Sequence, residues 1–357
     1  MKKLKIISKI KNYEVKFQNK FFLKYNENIF YIIDKNVYNI YFKKLKFKNK
    51  IVLVTNENLK TYKNVGKLLK KLINLEIKKN SKLIAIGGGI LQDTVAFAAS
   101  ILFRGIKWDF YPTTLLSQGD SCIGSKTSIN FEGAKNQLGN FYPPDNVIIN
   151  SNFLKSLTKK EILSGLGELC HYFLLSNKKN WNLYKYNLEN YFKKKKIIYL
   201  KNLVFGSLKI KKLFIEKDEF DVKERLLLNY GHSFGHAIEK ITNHKIPHGL
   251  AVAHGINIAN FISFQISLMN KNEFKQIEKI ICKLVNLDEI KNININNYIN
   301  ILKKDKKNKK NNFNFIISKG LGKMFIKEFK SRNKVNNLIK KYIEYVKNQK
   351  NCSYSSN

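Results

Sequence analysis

Short apolar runs alternate with helix-like segments through the first 150 residues of the chain. Two stretches between the runs, Leu59–Leu75 and Leu91–Phe103, carry apolar positions at helical spacing. Strands that alternate with helices predict parallel α/β layering. The runs that we predict as strands are Asn28–Asp34, Lys50–Glu57, Ser81–Gly89 and Trp108–Thr114.

Helical patterns dominate from about residue 151 onwards, and Asn-rich breaks such as Asn292–Asn297 separate them. We therefore predict two domains, an α/β domain over residues 1–150 and a mostly helical domain over residues 151–357. The predicted helices are Leu154–Leu175, Trp181–Phe192, Leu200–Phe214, Glu224–Ile241, Ala251–Leu268, Glu273–Val285 and Val335–Val346.

The composition is that of a folded protein, since 44% of the 357 residues are hydrophobic and 13% are aromatic. No apolar run reaches the length of a membrane span. The basic N-terminus lacks the apolar core and cleavage site of a signal peptide. The four cysteines are widely spaced and form no CxxC pair, which is typical of a reducing compartment. We predict a cytoplasmic protein without a membrane partner.

A formal net charge of +40 suggests nucleic-acid binding at first sight. The lysines, however, are spread along the whole chain, and only Arg104, Arg225 and Arg332 are arginines among 66 basic residues. Arginine makes most base-specific contacts. We therefore predict no specific nucleic-acid partner, although the positive field can steer an anionic substrate.

Three glycines, Gly87–Gly89, lie between a predicted strand and a predicted helix. Glycine allows the backbone to approach a pyrophosphate, and the helix N-terminus offers N–H groups and a favourable dipole. Asp93, in the first helical turn, is a cap or reaches a ligand hydroxyl. A tight turn without a ligand is the alternative.

The segment Ser117–Phe141 has few periodic apolar positions, which predicts a loop or a hairpin. Its Lys126, Lys135 and Asn136 are spaced to hold an anion with several oxygens. Taken alone, the segment is more typical of a solvated loop.

Four of the six histidines lie within residues 225–249. His232 and His236 are four residues apart in the run Glu224–Ile241, so one helix would place both imidazoles on one face. His248 follows a proline, where a helix can begin after a turn. A lone helix histidine usually belongs to the core or the surface, but several on one wall indicate a metal site.

A carboxylate precedes them in the first predicted helix of the second half. Glu168 and His171 are three residues apart there and share one face. If Glu168 faced His232 and His248, the three would form a metal site with an open position, as a catalytic zinc requires.

A series of motifs follows one another between Asp34 and Lys307: GGGILQD, FRG, PTTLL, GSKTSIN, KNQLG, GELCHYF, KDE, RLLLNYGHSFGHAIE, PHG and DKK. In this order they resemble the 3-dehydroquinate synthases of the sugar-phosphate cyclase family. The resemblance implies a Rossmann-like NAD-binding α/β domain, then a mostly helical domain that binds metal and substrate, and a homodimer.

The resemblance also implies roles for individual residues. Zn²⁺, with Co²⁺ as a possible substitute, would be held by Glu168, His232 and His248. NAD would contact Asp34, Glu57, Lys60, Gly87, Gly88, Gly89, Asp93, Thr113, Thr114 and Asp120, and the cofactor set extends to Lys126 and Lys135. The substrate-binding site would be lined by Lys126, Lys135, Asn136, Lys217, Arg225, Asn229, His236 and Lys306. Arg104 would reach the substrate phosphate from the neighbouring subunit.

The implied reaction converts 3-deoxy-D-arabino-heptulosonate 7-phosphate, an anionic sugar phosphate, to 3-dehydroquinate and phosphate. It proceeds through transient oxidation by NAD, β-elimination of phosphate, re-reduction and intramolecular aldol closure. This is a step of the shikimate pathway, which leads to chorismate and the aromatic amino acids.

The chain departs from the family pattern at some positions. His171 stands where a lysine near the substrate is usual, which either removes a substrate contact or adds a fourth neighbour to the metal. Ser125 and Leu250 replace a usual glycine and a usual glutamate. None of these changes removes a proposed ligand.

Two related activities compete with this interpretation. One is that of a cyclase such as 2-deoxy-scyllo-inosose synthase, whose sugar phosphate has no carboxylate. The other is a metal-dependent alcohol dehydrogenase of the glycerol dehydrogenase type. Arg225 and Lys126 favour a 3-dehydroquinate synthase over the inosose-type cyclase, because both side chains suit a carboxylate. The alternative for Arg225 is a structural salt bridge, to Asp218 or Glu219 for example.

Overall fold

The computed structural model describes residues 2–20, 23, 25–303 and 312–349. The chain divides into two compact units. Unit 1 comprises residues 1–157 and 212–221, and unit 2 comprises residues 158–211 and 222–357. The sequence-based boundary lies between residues 150 and 151. No helix in the described ranges is long and apolar enough to cross a membrane.

Unit 1 is built on a seven-stranded sheet with the order β1-β2-β9-β6-β5-β3-β4. All neighbouring strands pair in parallel except β1 and β2, which are antiparallel. The sheet strands are β1 Lys3–Ile6, β2 Tyr13–Gln18, β3 Ile29–Asp34, β4 Lys50–Leu53, β5 Lys82–Gly87, β6 Lys107–Pro112 and β9 Asn146–Asn150, and a separate hairpin is formed by β7 Ile129–Phe131 and β8 Ala134–Leu138.

The helices of unit 1 follow the strands, as parallel pairing requires. They are α1 Lys35–Val37, α2 Tyr62–Asn74 and α3 Gly89–Ile101, with short π-helical turns at Tyr38–Phe42 and Ser117–Ser121. The strands of the middle of the sheet are almost fully buried, because residues on both faces are covered. One face packs around Tyr31, Ile33, Ile86 and Phe153.

Unit 2 is mostly helical and is centred on one buried helix. Its helices are α4 Lys159–Leu175, α5 Lys178–Lys194, α6 Ile197–Lys217, α7 His232–Ile241, α8 His248–Gln265, α9 Lys271–Ile281, α10 Ile295–Lys303 and α11 Arg332–Asn348. The last part of α6, from Lys212, is grouped with unit 1. Every residue of α8 from Gly249 to Ser263 is buried, so that this stretch of the helix has no solvent-exposed face.

A hairpin of β10 Phe313–Ser318 and β11 Met324–Phe329 also belongs to unit 2. The predicted fold class, an α/β domain followed by a helical domain, is confirmed. The predicted strands and most predicted helices are present, with ends displaced by a few residues. The structure adds β1, β2, β9 and the β10–β11 hairpin, and α10 begins inside the predicted break Asn292–Asn297.

The prediction of one helix over Glu224–Ile241 is wrong. Glu224–Asn229 is a 3₁₀ helix, and α7 begins only at His232. Tyr230 has an extended ψ of 125° and Gly231 a φ of +82°, so the helical hydrogen-bond pattern is interrupted between the two segments. Apolar spacing continues across the break, which is why the sequence pattern did not reveal it.

Candidate functional site

Three metal-ligating side chains converge in unit 2. Glu168 lies on α4, and His232 and His248 are the first residues of α7 and α8. The Nε2 atoms of His232 and His248 lie 3.3 and 3.4 Å from the two carboxylate oxygens of Glu168. One donor atom from each residue lies within 4.8 Å of the others. Two imidazole nitrogens and one carboxylate at this spacing are a donor set for Zn²⁺ or Co²⁺.

The other nitrogen of each ring is already engaged. His232 Nδ1 lies 3.3 Å from the carbonyl oxygen of Tyr230, and His248 Nδ1 lies 3.0 Å from Glu239 Oε2. If Nδ1 carries the proton in both rings, each Nε2 presents a lone pair towards Glu168. Such second partners fix the tautomer and orientation of metal-binding histidines. Sequence reasoning missed Glu239, although it lies two turns after His232 on α7.

Burial and charge shape the Glu168 carboxylate. Its side chain is only 3% exposed. Burial by itself raises the pKa of Glu168. The nearby His232 and His248 together lower it by more than burial raises it, so the net pKa lies well below its usual range. Within the part of the chain that the structure describes, its buried Oε2 accepts no hydrogen bond. An ionised, buried oxygen of this kind fits a bound cation.

Glycines next to the ligands let the helices approach. Gly167 precedes Glu168, Gly231 precedes His232, and Gly249 follows His248. A Cβ on Gly231 would lie 2.6 Å from the Ile256 side chain on α8, and its φ of +82° also disfavours other residues. The sequence thus brings α4, α7 and α8 close together at the positions of the ligands.

Two more histidines lie beside the cluster. His171 is buried, with its Nδ1 4.0 Å from Glu168 Oε1 and its ring 5.3 Å from that of His232. It is therefore a neighbour of the ligands, but it does not belong to the group whose donor atoms lie within 4.8 Å. His236 is exposed, and its ring centroid lies 5.5 Å from those of both His232 and His248.

The break before α7 changes the placement of Arg225 and Asn229. Both lie on the 3₁₀ helix and not on the helix that carries His232, so the argument from a shared helical face does not apply. Arg225 is 3% exposed. The Asn229 side chain is partly buried and donates to the carbonyl oxygen of Leu226 at 3.0 Å.

The structure distinguishes two lysines on α6. Lys217, predicted to line the substrate, is exposed and is grouped with unit 1. Lys211 is buried in unit 2, and its Nζ lies 6.0 Å from the ring centroid of Tyr172, the residue after His171. Burial of a lysine is unusual, so Lys211 is a candidate that sequence reasoning missed. Lysines are so abundant in this chain that no sequence signal separated it from the others.

Two of the predicted cofactor residues of unit 1 lie at the carboxyl ends of neighbouring strands of the sheet. From β3 the chain adds β4 on one side and then β5 on the other side of β3. Ligands of open α/β sheets bind at such a switch point, at the carboxyl ends of the strands. Asp34 ends β3, and Gly87 ends β5, so both lie at this point.

The glycine loop has the shape that a pyrophosphate site needs. Gly88 is the N-cap of α3, which begins at Gly89 and is 13 residues long. A Cβ on Gly88 would lie 3.1 Å from Thr114 Cγ2, so the backbone is closely packed there. Thr113 is buried, and its N–H donates to the carbonyl oxygen of Gly87 at 3.0 Å. The free N–H groups at the start of α3 can receive an anion.

Asp34 also has a local role. Its Oδ1 accepts the N–H groups of Asn36 and Val37 at 2.8 and 3.0 Å, and Oδ2 accepts the hydroxyl of Thr55. The carboxylate therefore joins the segments that follow β3 and β4. Asp120, in the π-helical turn Ser117–Ser121, is partly buried.

A polar network joins several predicted residues of unit 1. Lys60 Nζ lies 2.6 Å from Asp93 Oδ2 and donates to Asn136 Oδ1 at 2.6 Å. Burial raises the pKa of Asp93, although the Lys60 ammonium opposes this effect. Asn130 donates to Glu57 at 2.7 Å. A cavity of about 500 Å³, lined by Glu57, Asn130 and Lys135 among others, adjoins this network.

Lys126 and Asp221 form an ion pair in unit 1, and the Lys126 side chain stays 50% exposed. The partner of Lys126 was not foreseen from the sequence. Lys306 lies outside the described residues.

Arg104 is presented by a strained turn. Phe103, Arg104 and Gly105 have φ values of 49°, 61° and 105°, three left-handed residues in succession. The Lys79 ammonium donates to the carbonyl oxygens of Phe103 and Gly105, the latter at 2.7 Å. Strain of this kind persists only where the surroundings enforce it and is frequent at functional sites. The Arg104 side chain lies at the exposed tip of this turn.

Comparison with known proteins identifies relatives of both halves. Residues 50–164 match the family model described as 3-dehydroquinate synthase N-terminal, and residues 165–308 match the model described as 3-dehydroquinate synthase C-terminal. The 3-dehydroquinate synthase of Clostridium tetani is 35% identical over 331 residues, which cover 90% of this chain and 86% of the relative.

Solved structures share the fold at lower identity. A 2-deoxy-scyllo-inosose synthase complexed with carbaglucose-6-phosphate, NAD⁺ and Co²⁺ superposes with a TM-score of 0.83 at 23% identity, covering 95% of this chain and 99% of that one. The 2-epi-5-epi-valiolone synthase of Streptomyces hygroscopicus, with NAD⁺ and Zn²⁺ bound, gives a TM-score of 0.82 at 20% identity, with coverage of 96% and 98%.

These two likenesses establish the fold alone, whereas the family models and the identity to the clostridial enzyme extend over most of the chain. The resemblance inferred from the motifs is thereby confirmed, and the chain belongs to the 3-dehydroquinate synthase family.

Proposed function

We propose that this chain is a phosphate-eliminating lyase that converts 3-deoxy-D-arabino-heptulosonate 7-phosphate to 3-dehydroquinate and phosphate. The observation that carries the proposal is the Glu168–His232–His248 cluster, found in a chain that matches both family models. The reaction would place the enzyme in the shikimate pathway, which supplies chorismate and the aromatic amino acids.

The metal of the proposed enzyme is Zn²⁺ or Co²⁺, held by Glu168, His232 and His248. The buried carboxylate oxygen and the two Nε2 atoms supply the donors. When bound, the ion would supply positive charge that makes a substrate hydroxyl more acidic. Glu239 and the carbonyl of Tyr230 would keep both rings in the binding tautomer.

The cofactor of the proposed enzyme is NAD, bound by unit 1 at the switch point between β3 and β5. When bound, it would accept a hydride from the substrate and return it in the same turnover, so none is consumed. The N–H groups at the start of α3 would bind its pyrophosphate, and Asp34, Lys60 and Asp93 would surround the rest. Glu57, Thr113, Thr114 and Asp120 complete the proposed set.

The substrate carries a carboxylate and a phosphate, and the proposed contacts are mostly cationic. Arg225 has the planar fork that suits a carboxylate. Lys126, paired with Asp221, also suits the carboxylate, and Lys135 would line the substrate beside it. Asn136, Lys217, Asn229, His236 and Lys306 complete the proposed substrate set. Excess cations on the surface would steer this polyanionic substrate inward.

A homodimer is part of the proposal, because Arg104 would contact the phosphate bound by a second copy of the chain. The strained turn at Phe103–Gly105 supports it, since the turn presents Arg104 outward. The proposed setting is cytoplasmic, without a membrane or a specific nucleic acid as partner.

Phosphate release provides the decisive test. Purified protein is incubated with the heptulosonate phosphate, with and without added NAD, after removal of bound nucleotide. We expect phosphate release that requires NAD, with no accumulation of NADH. Release from a hexose 6-phosphate, which lacks the carboxylate, would favour an inosose-type cyclase instead. NADH that accumulates in step with product would favour a dehydrogenase.

A further inference from the structure

A second group of metal-ligating side chains adjoins the Glu168 cluster and shares His248 with it. His236 and Glu239 from α7 and His248 from α8 each offer one donor atom, and the three atoms lie within 4.8 Å of one another. His244, in the turn after α7, brings its Nδ1 to 3.8 Å from Glu239 Oε1. Three imidazoles therefore lie around the Glu239 carboxylate, those of His236 and His248 inside this group and that of His244 outside it.

Local structure explains the convergence. His236 and Glu239 are three residues apart on α7, so they share a face. His244 has a φ of +60°, which turns the chain back past the end of the helix. The two oxygens of Glu239 then face different imidazoles, Oε1 towards His244 and Oε2 towards His248 at 3.0 Å.

The two groups differ in their access to solvent. The side chains of Glu168 and His232 are 3% and 11% exposed. In the second group the Glu239 side chain is 10% exposed and that of the shared His248 is 36% exposed, whereas the His244 side chain beside them is 53% exposed. His236 is exposed as well. An ion arriving from solution therefore meets His236 and His244 before it can reach Glu168.

We propose that His236, Glu239 and His248, with His244 beside them, form an entry site, which captures a divalent transition-metal ion and passes it to the Glu168 site. The inference rests on the metal site of the proposed function. Imidazole and carboxylate donors suit Zn²⁺, Co²⁺, Ni²⁺ and Cu²⁺, whereas Mg²⁺ prefers oxygen ligands alone.

His248 can serve the two sites only in turn. Its Nδ1 faces Glu239, and its Nε2 faces Glu168. A neutral imidazole has one proton and one nitrogen lone pair. The entry site uses the tautomer with the proton on Nε2, and the inner site uses the tautomer with the proton on Nδ1, donated to Glu239. Transfer inward therefore moves one ring proton and leaves the net charge of His248 unchanged.

Metal uptake by the apo protein tests the entry site. Co²⁺ binding is followed by its visible absorption after rapid mixing with wild-type protein and with His244→Asn. Asparagine tolerates the left-handed backbone at this position, so the fold is kept. We expect uptake about tenfold slower in the variant, by analogy with the lower end of the loss of metal affinity that follows removal of a group beside a metal site. The final affinity of the Glu168 site and phosphate release by the loaded enzyme should stay unchanged.

The matched control is Lys245→Gln, an exposed neighbour of His244 that offers no proposed ligand. It should not slow uptake. Equal uptake rates for His244→Asn and wild type would overturn the proposal, as would equal slowing by Lys245→Gln.

A second experiment isolates the entry site at equilibrium. Glu168→Gln weakens the inner site, and we expect this variant to bind one Co²⁺ ion weakly, with binding lost on adding His244→Asn. Co²⁺ binding by Glu168→Gln that His244→Asn leaves unchanged would contradict the entry site. Because these readouts need no turnover, absent phosphate release in a protein that loads metal as predicted counts against the proposed function alone.

Discussion

A Cβ atom on Gly249 would lie only 1.8 Å from the carbonyl oxygen of Ser164. The backbone of α8 therefore touches that of α4 at this point. Gly167 makes the reciprocal contact, since a Cβ there would lie 2.3 Å from the carbonyl oxygen of Gly249. Glu168 and His248 are the sequence neighbours of these two glycines, so the close contact of the helices brings their side chains together.

We expect Gly249→Ala to disrupt both stability and metal binding. The added methyl group cannot be accommodated without separating α4 from α8, so we expect a loss of about 3 kcal/mol in the free energy of unfolding. Thermal unfolding and competition with a coloured chelator would measure the two effects. Gly66→Ala is the matched control, because its Cβ would meet no atom within 4 Å and α2 should gain about 1 kcal/mol. A Gly249→Ala protein as stable as wild type would contradict the contact.

The lowered pKa of Glu168 predicts the pH dependence of the metal-free protein. A carboxyl group whose pKa is lower in the folded than in the unfolded state stabilises the fold above its ordinary pKa, here 4.5, and this contribution is lost as the pH falls further. We therefore expect the free energy of unfolding to decrease below about pH 4.5, with a smaller slope in Glu168→Gln. Urea unfolding at a series of pH values would measure it, and equal slopes in the two proteins would refute the assignment.

Arg225→Lys should weaken turnover while leaving the fold intact. Losing a charge-assisted, bidentate hydrogen-bond contact with the substrate carboxylate costs roughly 1.5–3 kcal/mol, which corresponds to a decrease of about ten- to a hundredfold in kcat/KM. The exposed Arg332, which donates to Asn300 at 2.8 Å, offers Arg332→Lys as a control without this effect. Normal turnover of Arg225→Lys, or loss of its fold, would show that the carboxylate role is wrong.

Cys170 should resist alkylation in the native protein. Its thiol is fully buried in α4, and burial raises its pKa to about 12, so thiolate is scarce at about pH 8. Cys282 is only partly buried. We expect iodoacetamide to label Cys282 before Cys170, as measured by peptide mass spectrometry. Equal labelling of both in denaturant is the control, and rapid native labelling of Cys170 would contradict the buried site.

Much of the fold could be predicted from local pattern. The alternation of apolar runs and helical segments reflects the two-residue and 3.6-residue periods of burial, and it located β3 to β6 and their helices. The strands β1, β2 and β9 were missed, because β2 joins the sheet through a partner, β9, more than 120 residues later in the chain. Pairing over such a distance leaves no local signal.

Some features of the candidate site could likewise be predicted from the sequence, and others could not. Its chemistry was visible in the sequence, since residue type and spacing singled out Glu168, His232, His248 and the glycine loop. The helix break at Gly231 and the burial of Lys211 were not visible, because both depend on what packs against them.

By itself, the sequence determined which donors this protein possesses and which helices or loops carry most of them. Only the tertiary structure decided how they are arranged: which ring nitrogen faces Glu168, that Glu239 holds His248 from the other side, and that Lys126 meets Asp221. Side-chain type is fixed residue by residue, but orientation depends on contacts between helices whose approach is limited by backbone atoms, as at Gly249 and Ser164.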